Sequence, residues 1–330
     1  MTTLGQIAAA GVAWALAILS GAVVGVGALA WRTAVRTRRQ RVRLNRVLRR
    51  FERAEMELLR LRKTVAAQSA ARSGGDPSVP IEFRSQFGED VYVWELLGPR
   101  RGGFYVEVGA YDGHDLSVTW AFEQMGWTGL LVEAIPERAE QCRTRRPKSS
   151  VVHAALGEPG GPDAIEFTVV EGAGSAGMLS YDAPGVRTTE HLETIRALGA
   201  GTRTVRVPMR TMDSVLDDLA ADGRGPTDGI DFAVVDVEGA ELGLLKGWDL
   251  DRWRPRVLIV EDNTMGRDSA VLDHLRSHGY TDVMPLGLNI IFVRTDESAL
   301  LERARAMAEL VPWPNFGMEF GVGIGAGRTR

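Results

Sequence analysis

Residues 103–113 read GFYVEVGAYDG, and this stretch decides the fold. Its first half is a β-branched and aromatic run that ends near an acidic residue, Glu107, and it predicts a buried strand. Two glycines, Gly109 and Gly113, then open a polar segment that can start a helix. Glycine suits these positions because a residue without Cβ lets the backbone turn sharply and approach a ligand. The stretch therefore predicts a strand, a tight turn and a helix around a bound ligand.

A second strand follows at the distance that a nucleoside pocket requires. Residues 128–133, TGLLVE, are apolar and end at Glu133, whose carboxylate can accept both hydroxyls of a ribose. The glycine spacing is E-x-G-x-x-x-G, a form common in S-adenosylmethionine (SAM) methyltransferases. Nicotinamide enzymes carry G-x-G-x-x-G instead. The spacing therefore disfavours a nicotinamide-dependent enzyme.

Strand and helix patterns alternate along residues 81–300 and predict an α/β domain with a doubly wound, mostly parallel sheet. The last two predicted strands are separated by a segment too short for a crossover helix, so they should form an antiparallel hairpin that closes the sheet. Such a hairpin is typical of the methyltransferase form of the fold. Further strands are predicted at residues 151–155, 165–169, 204–209, 232–236, 257–261, 281–285 and 290–294.

The amino-terminal residues 1–31 predict a single transmembrane helix. Residues 7–31 carry no charge and exceed the roughly 20 residues that a helix needs to cross a bilayer. Residues 32–63 hold 13 basic and three acidic side chains, whereas the rest of the chain is acidic. The positive-inside rule then places the catalytic domain in the cytoplasm. A cleaved signal peptide ending at Ala28-Leu29-Ala30 is the alternative.

Residues 32–72 predict a basic juxtamembrane segment that continues into a heptad helix. Two interpretations of the heptads stay open: a parallel homodimer through residues 44–65, and one amphipathic helix lying on the membrane or on its own domain. Residues 73–80 predict a linker, and residues 301–330 a C-terminal helix with a flexible tail. The acidic body makes a nucleic-acid partner unexpected. The heptad seam consists of Leu44, Val47, Phe51, Ala54, Leu58, Leu61 and Val65.

The block DFAVVDVEGAEL at residues 231–242 makes a family resemblance specific. From about Ser85 to Arg294 the chain resembles the FkbM family of SAM-dependent methyltransferases. The resemblance also draws on residues 85–90, 104–113, 131–136, 207–215 and 254–261. It implies a class I methyltransferase fold, SAM as donor, and methylation of a hydroxyl on a sugar, glycolipid or natural product. The anchor and the heptads lie outside it.

In open α/β sheets, ligands bind beyond the carboxyl ends of the strands. We expect the two glycines of the turn to pass under the methionine part of SAM, with Glu107 holding either the turn or the amino group. Glu133 is expected to bind the ribose, and the end of the third strand to hold adenine through backbone and apolar contacts. The candidate cofactor-binding residues are Glu107, Gly109, Ala110, Gly113, Glu133 and Ala155.

A hydroxyl acceptor must lose a proton, either to a positioned base or with the help of a metal ion. Asp236 and Glu238, after the fourth strand, and His114 are the candidate catalytic residues. Asp236 with Glu261 and Asp262 partly resembles the magnesium site of catechol-type O-methyltransferases, so Mg²⁺ is a candidate cofactor. Asp236 and Glu238 could instead cap the following helix.

Together these patterns predict a membrane-anchored SAM-dependent O-methyltransferase that acts on a glycan, glycolipid or small-molecule acceptor. A protein of another class is the alternative: a non-catalytic membrane scaffold that keeps the fold and oligomerises through residues 44–65. The two acidic strand ends, Glu107 and Glu133, argue against the scaffold because it would need neither.

Overall fold

The computed structural model describes residues 49–50, 53–72, 80–100, 102–171, 181–182, 201–264 and 266–310. The chain divides into two compact units, residues 1–56 and residues 57–330. Where the first unit is described, it is helical. Among the described residues, none of the helices combines the length and the apolar character that a membrane span needs. The predicted membrane span, most of the linker and the predicted tail lie outside the described residues.

Strands and helices alternate through most of the second unit. The strands are β1 (Phe104–Val108), β2 (Thr128–Glu133), β3 (Ser149–His153), β4 (Ala155–Leu156), β5 (Ala164–Glu171), β6 (Tyr181–Asp182), β7 (Gly201–Arg210), β8 (Phe232–Val235), β9 (Val257–Glu261), β10 (Tyr280–Leu286) and β11 (Asn289–Arg294). The helices are α1 (residues 53–72), α2 (Glu89–Leu97), α3 (Trp120–Gln124), α4 (Pro136–Arg145), α5 (Met212–Ala221), α6 (Glu241–Lys246), α7 (Leu250–Trp253), α8 (Ala270–Ser277) and α9 (Ser298–Leu310).

The central sheet has seven strands in the order β10-β11-β9-β8-β1-β2-β3. Strands β9, β8, β1, β2 and β3 are parallel, whereas β11 runs antiparallel to both of its neighbours. The hairpin of β10 and β11 therefore closes one edge of the sheet. The prediction of a mostly parallel sheet with an antiparallel hairpin is confirmed.

A second, four-stranded sheet has the order β4-β7-β5-β6. This differs from the sequence analysis, which expected residues 165–169 and 204–209 to lie in the central sheet. Strands β5 and β7 pair antiparallel with each other instead. Strand β7 carries three arginines and only one of its residues is buried, whereas the inner strands of a parallel sheet are buried on both faces. Its composition therefore suits a separate sheet with one solvated face.

Apolar side chains pack on both faces of the central sheet. Successive residues of β1 point to opposite faces, so Tyr105 joins the core on one side and Val106 joins the core on the other. Helices α2, α3 and α9 cover the first side, and α5 to α8 contribute to the second. This is the layered arrangement that a doubly wound sheet requires.

Helix α1 lies on its own domain through one face. Ala66 and Ala70 are buried in the same core as the helices around β1, and the Lys63 ammonium donates to the backbone carbonyl of Ser85. Packing on the same domain is one of the predicted interpretations. The described end of the heptad seam stays exposed at Leu58 (36%), Leu61 (58%) and Val65 (65%).

A fully buried arginine joins β1 to the segments beside it. Arg146 follows α4 and donates to the Glu123 carboxylate at 2.9 Å and to the Tyr105 hydroxyl at 2.8 Å. It also lies 3.7 Å from the Glu107 carboxylate and donates to the Gly113 carbonyl at 3.0 Å. A buried charge is tolerated only with such partners. The arginine therefore holds the strand, the glycine turn and α3 together.

We expect Arg146→Leu to lower the free energy of unfolding by about 3–5 kcal/mol, because it leaves buried carboxylates without their cation. Urea denaturation followed by tryptophan fluorescence measures the change. The matched control is Arg143→Leu, which removes an exposed ion pair with Glu140 on the same helix and should cost less than about 1 kcal/mol. Equal losses in the two variants would contradict the role of Arg146.

Candidate functional site

A cavity of about 500 Å³ opens where the strands of the central sheet end. It is lined by the residues that follow β1, by Glu133 at the end of β2 and by Asp236 after β8. Ala154, between β3 and β4, also lines it. This is the edge at which open α/β sheets bind their ligands, so the cavity occupies the predicted place.

The turn after β1 fixes the floor of the cavity. Gly109 has φ +82°, and a Cβ atom there would lie 1.8 Å from the Asp236 carbonyl oxygen. Only glycine lets the ends of β1 and β8 come this close. Gly113, with φ +76°, closes the turn by donating to the Ala110 carbonyl at 2.8 Å. Gly109 lines the cavity, whereas Ala110 and Gly113 shape the turn behind it.

Glu133 is buried at the end of β2 and lines the cavity. Its carboxylate accepts hydrogen bonds from the backbone N–H groups of Tyr111 at 2.9 Å and Ile135 at 2.8 Å. Burial raises the pKa of Glu133 to about 7, and these donors and the nearby Arg138 oppose the shift. Each carboxylate oxygen keeps a lone pair for a further donor. Glu133 is therefore equipped to accept the two hydroxyls of a ribose.

Sequence reasoning missed the pair formed by Tyr111 and Arg138 beside Glu133. Both residues line the cavity, and the Arg138 guanidinium carbon lies 4.4 Å from the centroid of the Tyr111 ring. Tyr111 adopts the left-handed conformation with φ +54°, so the turn holds an aromatic residue in a strained position. The signal that could have found Arg138 is its place in the first turns of α4, which begins directly after β2.

Apolar side chains line the part of the cavity predicted to hold adenine. Ala155 and Leu156 line the cavity. Ile165 and Phe167 of β5, in the second sheet, form another part of its wall. The sequence analysis did not foresee this wall because it placed β5 in the central sheet.

Glu107 lies outside the cavity lining. Its buried carboxylate accepts hydrogen bonds from the Val118 N–H at 2.8 Å and from the hydroxyls of Ser117 at 2.8 Å and Thr119 at 2.6 Å. These residues follow the glycine turn. Of the two predicted roles, the structure therefore supports holding the turn, and it does not bring Glu107 to the cofactor cavity.

His114, a predicted catalytic candidate, also lies outside the cavity lining. Its Nδ1 atom is 2.8 Å from the Asp115 carboxylate, and its ring packs edge-on against Trp120 with the centroids 4.5 Å apart. These contacts account for the histidine without a ligand. The structure does not bring His114 and Asp236 together around the cavity.

Three carboxylates meet beside the ends of β8 and β9. One oxygen each of Asp236, Glu238 and Glu261 lies within 4.8 Å of the other two. Asp236 and Glu238 line the cavity, and Glu261 is buried beside them. Burial raises the pKa of Asp236, and burial together with the neighbouring carboxylates raises the pKa of Glu261 well above its usual range. Full ionisation of the cluster is therefore unfavourable, and a bound proton or another positive charge would reduce the repulsion among its carboxylates.

The alternative role of Asp236 and Glu238 as helix caps is not observed. Helix α6 has Ala240 as its N-cap without a side-chain cap hydrogen bond. Glu241, in the first turn, accepts from the N–H groups of Gly239 at 2.9 Å and Val237 at 3.3 Å. The turn before the helix thus depends on Glu241, which leaves the other two carboxylates to the cavity.

Asp262, predicted as a metal ligand, holds the loop after β9 instead. One carboxylate oxygen accepts from the N–H and hydroxyl groups of Thr264, at 2.9 Å and 2.5 Å, and the other accepts from the Gly266 N–H at 2.6 Å. Glu261 precedes it and points to the acid cluster. The structure therefore brings together Asp236 and Glu261 from the predicted set, with Glu238 in the place expected for Asp262.

The comparison with protein families decides the assignment. The FkbM methyltransferase domain matches residues 107–281, which covers the glycine turn, Glu133 and the acid cluster. This chain belongs to the FkbM methyltransferase family. It is accordingly a SAM-dependent methyltransferase, and the predicted family is confirmed. A comparison with curated proteins gave no match.

Three of the solved structures similar to this FkbM methyltransferase are methyltransferases. A precorrin-6Y C5,15-methyltransferase from Geobacter metallireducens is 10% identical with a TM-score of 0.33, and the match covers 62% of this chain and 85% of that one. A TehB-like SAM-dependent methyltransferase from Corynebacterium glutamicum is 11% identical with a TM-score of 0.32, and the match covers 69% of this chain and 93% of that one. The C-terminal domain of the Rhodobacter capsulatus precorrin-6Y C5,15-methyltransferase is 13% identical with a TM-score of 0.30, and the match covers 67% of this chain and 91% of that one. The assignment rests on the family match.

We expect Glu133→Gln to weaken the binding of S-adenosylhomocysteine about tenfold to a hundredfold, because hydrogen bonds to a charged group are worth about 1.5–3 kcal/mol. Isothermal titration calorimetry measures the affinity. Glu158→Gln is the matched control, since Glu158 also lines the cavity but pairs with Lys246 at 3.5 Å. An equal loss in both variants would contradict the assignment of the ribose to Glu133.

The same residue predicts a pH dependence. The pKa of Glu133 is raised to about 7, so its carboxylate form predominates only above that pH. Because the carboxylate accepts hydrogen bonds from both hydroxyls more strongly than the neutral acid does, affinity should rise as the pH increases through about 7. Titrations between pH 5.5 and 8.5 test this expectation. A profile that is the same in the wild type and in Glu133→Gln would contradict it.

Proposed function

We propose that this FkbM methyltransferase transfers the methyl group of SAM to a hydroxyl of a sugar, glycolipid or natural product. The acid cluster carries the proposal, because Asp236 and Glu238 line the same cavity as Glu133. A hydroxyl is a weak nucleophile until its proton is removed, and a carboxylate beside the methyl donor can remove it. The family resemblance supports the same class of acceptor.

The reaction is an in-line displacement. The acceptor oxygen attacks the methyl carbon, the carbon–sulfur bond breaks, and its electron pair stays on sulfur as S-adenosylhomocysteine leaves. The hydroxyl proton passes to a carboxylate, for which Asp236 is our candidate. Burial raises the pKa of Asp236, which makes its carboxylate a stronger base than an exposed one. The mainly apolar cavity aligns the reactants and excludes water.

The test uses purified full-length protein with SAM carrying a tritiated methyl group. Acceptors are a panel of sugars, nucleotide sugars and detergent-solubilised glycolipids. We expect label in a methyl ether, and we expect Asp236→Asn to lower kcat by about a hundredfold or more, the size of a lost general base. The variant should bind S-adenosylhomocysteine within about threefold of the wild type, because Asp236 is not assigned to the cofactor.

Glu158→Gln serves again as the control and should keep most of the activity, because that carboxylate lies away from the acid cluster. Label transferred to nitrogen or carbon would contradict the proposed acceptor. Full activity of Asp236→Asn would contradict the proposed base while leaving O-methylation in place.

We also propose that the protein is a single-pass membrane protein with its catalytic unit in the cytoplasm. The uncharged residues 7–31 and the basic block after them support this arrangement. A second copy of the chain is the proposed partner of the exposed seam on α1. The opposite face of that helix is occupied by its own domain, and the heptads continue in sequence to Leu44.

Two variants separate anchoring from pairing. Deleting residues 1–31 should move the protein from the membrane fraction to the soluble fraction, since the span is lost. Leu61→Glu in the full chain should keep the membrane location but reduce chemical cross-linking into dimers, because a charge enters the seam at an exposed position. A deleted protein that still pellets with membranes, or unchanged cross-linking of Leu61→Glu, would contradict the respective proposal.

A further inference from the structure

We infer that Asp236, Glu238 and Glu261 form a binding site for a hard divalent cation such as Mg²⁺ or Mn²⁺, at the acceptor end of the cavity. The three residues come from two neighbouring strand ends, and they differ from the set that the sequence predicted. The role of the cation in catalysis rests on the proposed function, whereas its binding is tested separately below.

The geometry fits such an ion. One oxygen of each carboxylate lies within 4.8 Å of the other two. Around an ion with bonds of about 2.0–2.1 Å, opposite ligands stand about 4.1 Å apart and adjacent ones about 2.9 Å, so the three oxygens would draw closer on binding the ion. Carboxylate oxygens are the ligands that Mg²⁺ and Mn²⁺ prefer over softer metals.

One carboxylate oxygen of Glu261 is buried without a hydrogen-bond partner. Glu261 is only 7% exposed, and its Oε2 atom has no hydrogen-bond partner. Buried polar atoms are nearly always paired, so an orphaned carboxylate oxygen next to two further carboxylates indicates a missing positive ligand. Across the described ranges, neither Glu261 nor Asp236 forms an ion pair with a lysine or arginine.

The backbone holds each donor at a defined position. Asp236 directly follows β8, and its carbonyl packs against Gly109. Glu261 is the last residue of β9 and pairs in the sheet with Asn289 of β11. Glu238 has φ +56° in the short turn that Glu241 fastens. The donors therefore stand on rigid strand ends and a strained turn, which is how preorganised sites are built.

The cavity side of the site is open to the acceptor. Asp236 and Glu238 line the cavity, whereas Glu261 is buried beside them and outside the lining. A cation held there leaves ligand positions for the acceptor hydroxyl, whose pKa it would lower. Each carboxylate has two oxygens, so Asp236 can bind the cation through one and accept the hydroxyl proton through the other.

The test is titration of Mn²⁺ into full-length, detergent-solubilised protein, with free Mn²⁺ followed by electron paramagnetic resonance. We expect one Mn²⁺ per chain, displaced by Mg²⁺. Glu261→Gln should weaken Mn²⁺ binding at least about tenfold, because it replaces one of three anionic ligands. Two controls should bind like the wild type: Glu158→Gln, a cavity carboxylate outside the cluster, and Asp262→Asn, which lies next to it but serves the loop.

S-adenosylhomocysteine binding, measured on each protein, reports a folded cofactor cavity. If Glu261→Gln fails to bind S-adenosylhomocysteine, the Mn²⁺ titration uses Glu238→Gln instead, because Glu238 is only half-buried. Wild-type protein that binds S-adenosylhomocysteine but no stoichiometric Mn²⁺ would overturn the cation site and leave the proposed function standing. Mn²⁺ affinity that survives loss of Glu261 or Glu238, or that is lost with Asp262, would also overturn it.

Discussion

The buried positive charge of Arg146 is the constraint on which the cofactor side of this structure depends. Its guanidinium joins β1, the Gly113 carbonyl and α3, and the same region is fastened by the hydrogen bonds that Glu107 accepts. Because a buried charge must keep its partners, the glycine turn has little freedom to move. Arg146 and Glu107 therefore fix the conformation of the glycine turn from the side away from the cavity, without the help of a ligand.

The acid side of the cavity is linked to this turn by a steric contact. Gly109 lies against the Asp236 carbonyl so closely that no side chain fits between them. The position of the turn consequently determines where β8 ends and where the Asp236 carboxylate stands. The glycine turn and the Asp236 carboxylate thus stand on one edge of the sheet, and this suits the proposed in-line methyl transfer because its reacting atoms must be closely aligned.

The central sheet, its closing hairpin and the place of Glu133 follow from local patterns, so the sequence predicts them. Side-chain direction at strand ends is harder, because neighbouring residues of a strand point to opposite faces. Glu261 and Asp262 are neighbours in the chain, yet Glu261 joins the acid cluster and Asp262 holds the loop after β9. The side chain of Glu107 likewise points away from the cavity. The β5–β7 pairing joins strands distant in sequence, and a pattern read along the chain does not reveal it.

The second sheet supplies part of the cavity wall without taking part in the hydrogen bonds of the central sheet. Strands β5 and β7 bond mainly to each other, yet β5 places Ile165 and Phe167 in the wall of the cavity. The central sheet keeps its hydrogen bonds whatever residues occupy that wall. The side chains around the expected adenine position can therefore vary at little cost to the stability of the central sheet, because they stand on strands that the sheet does not need for its own hydrogen bonds.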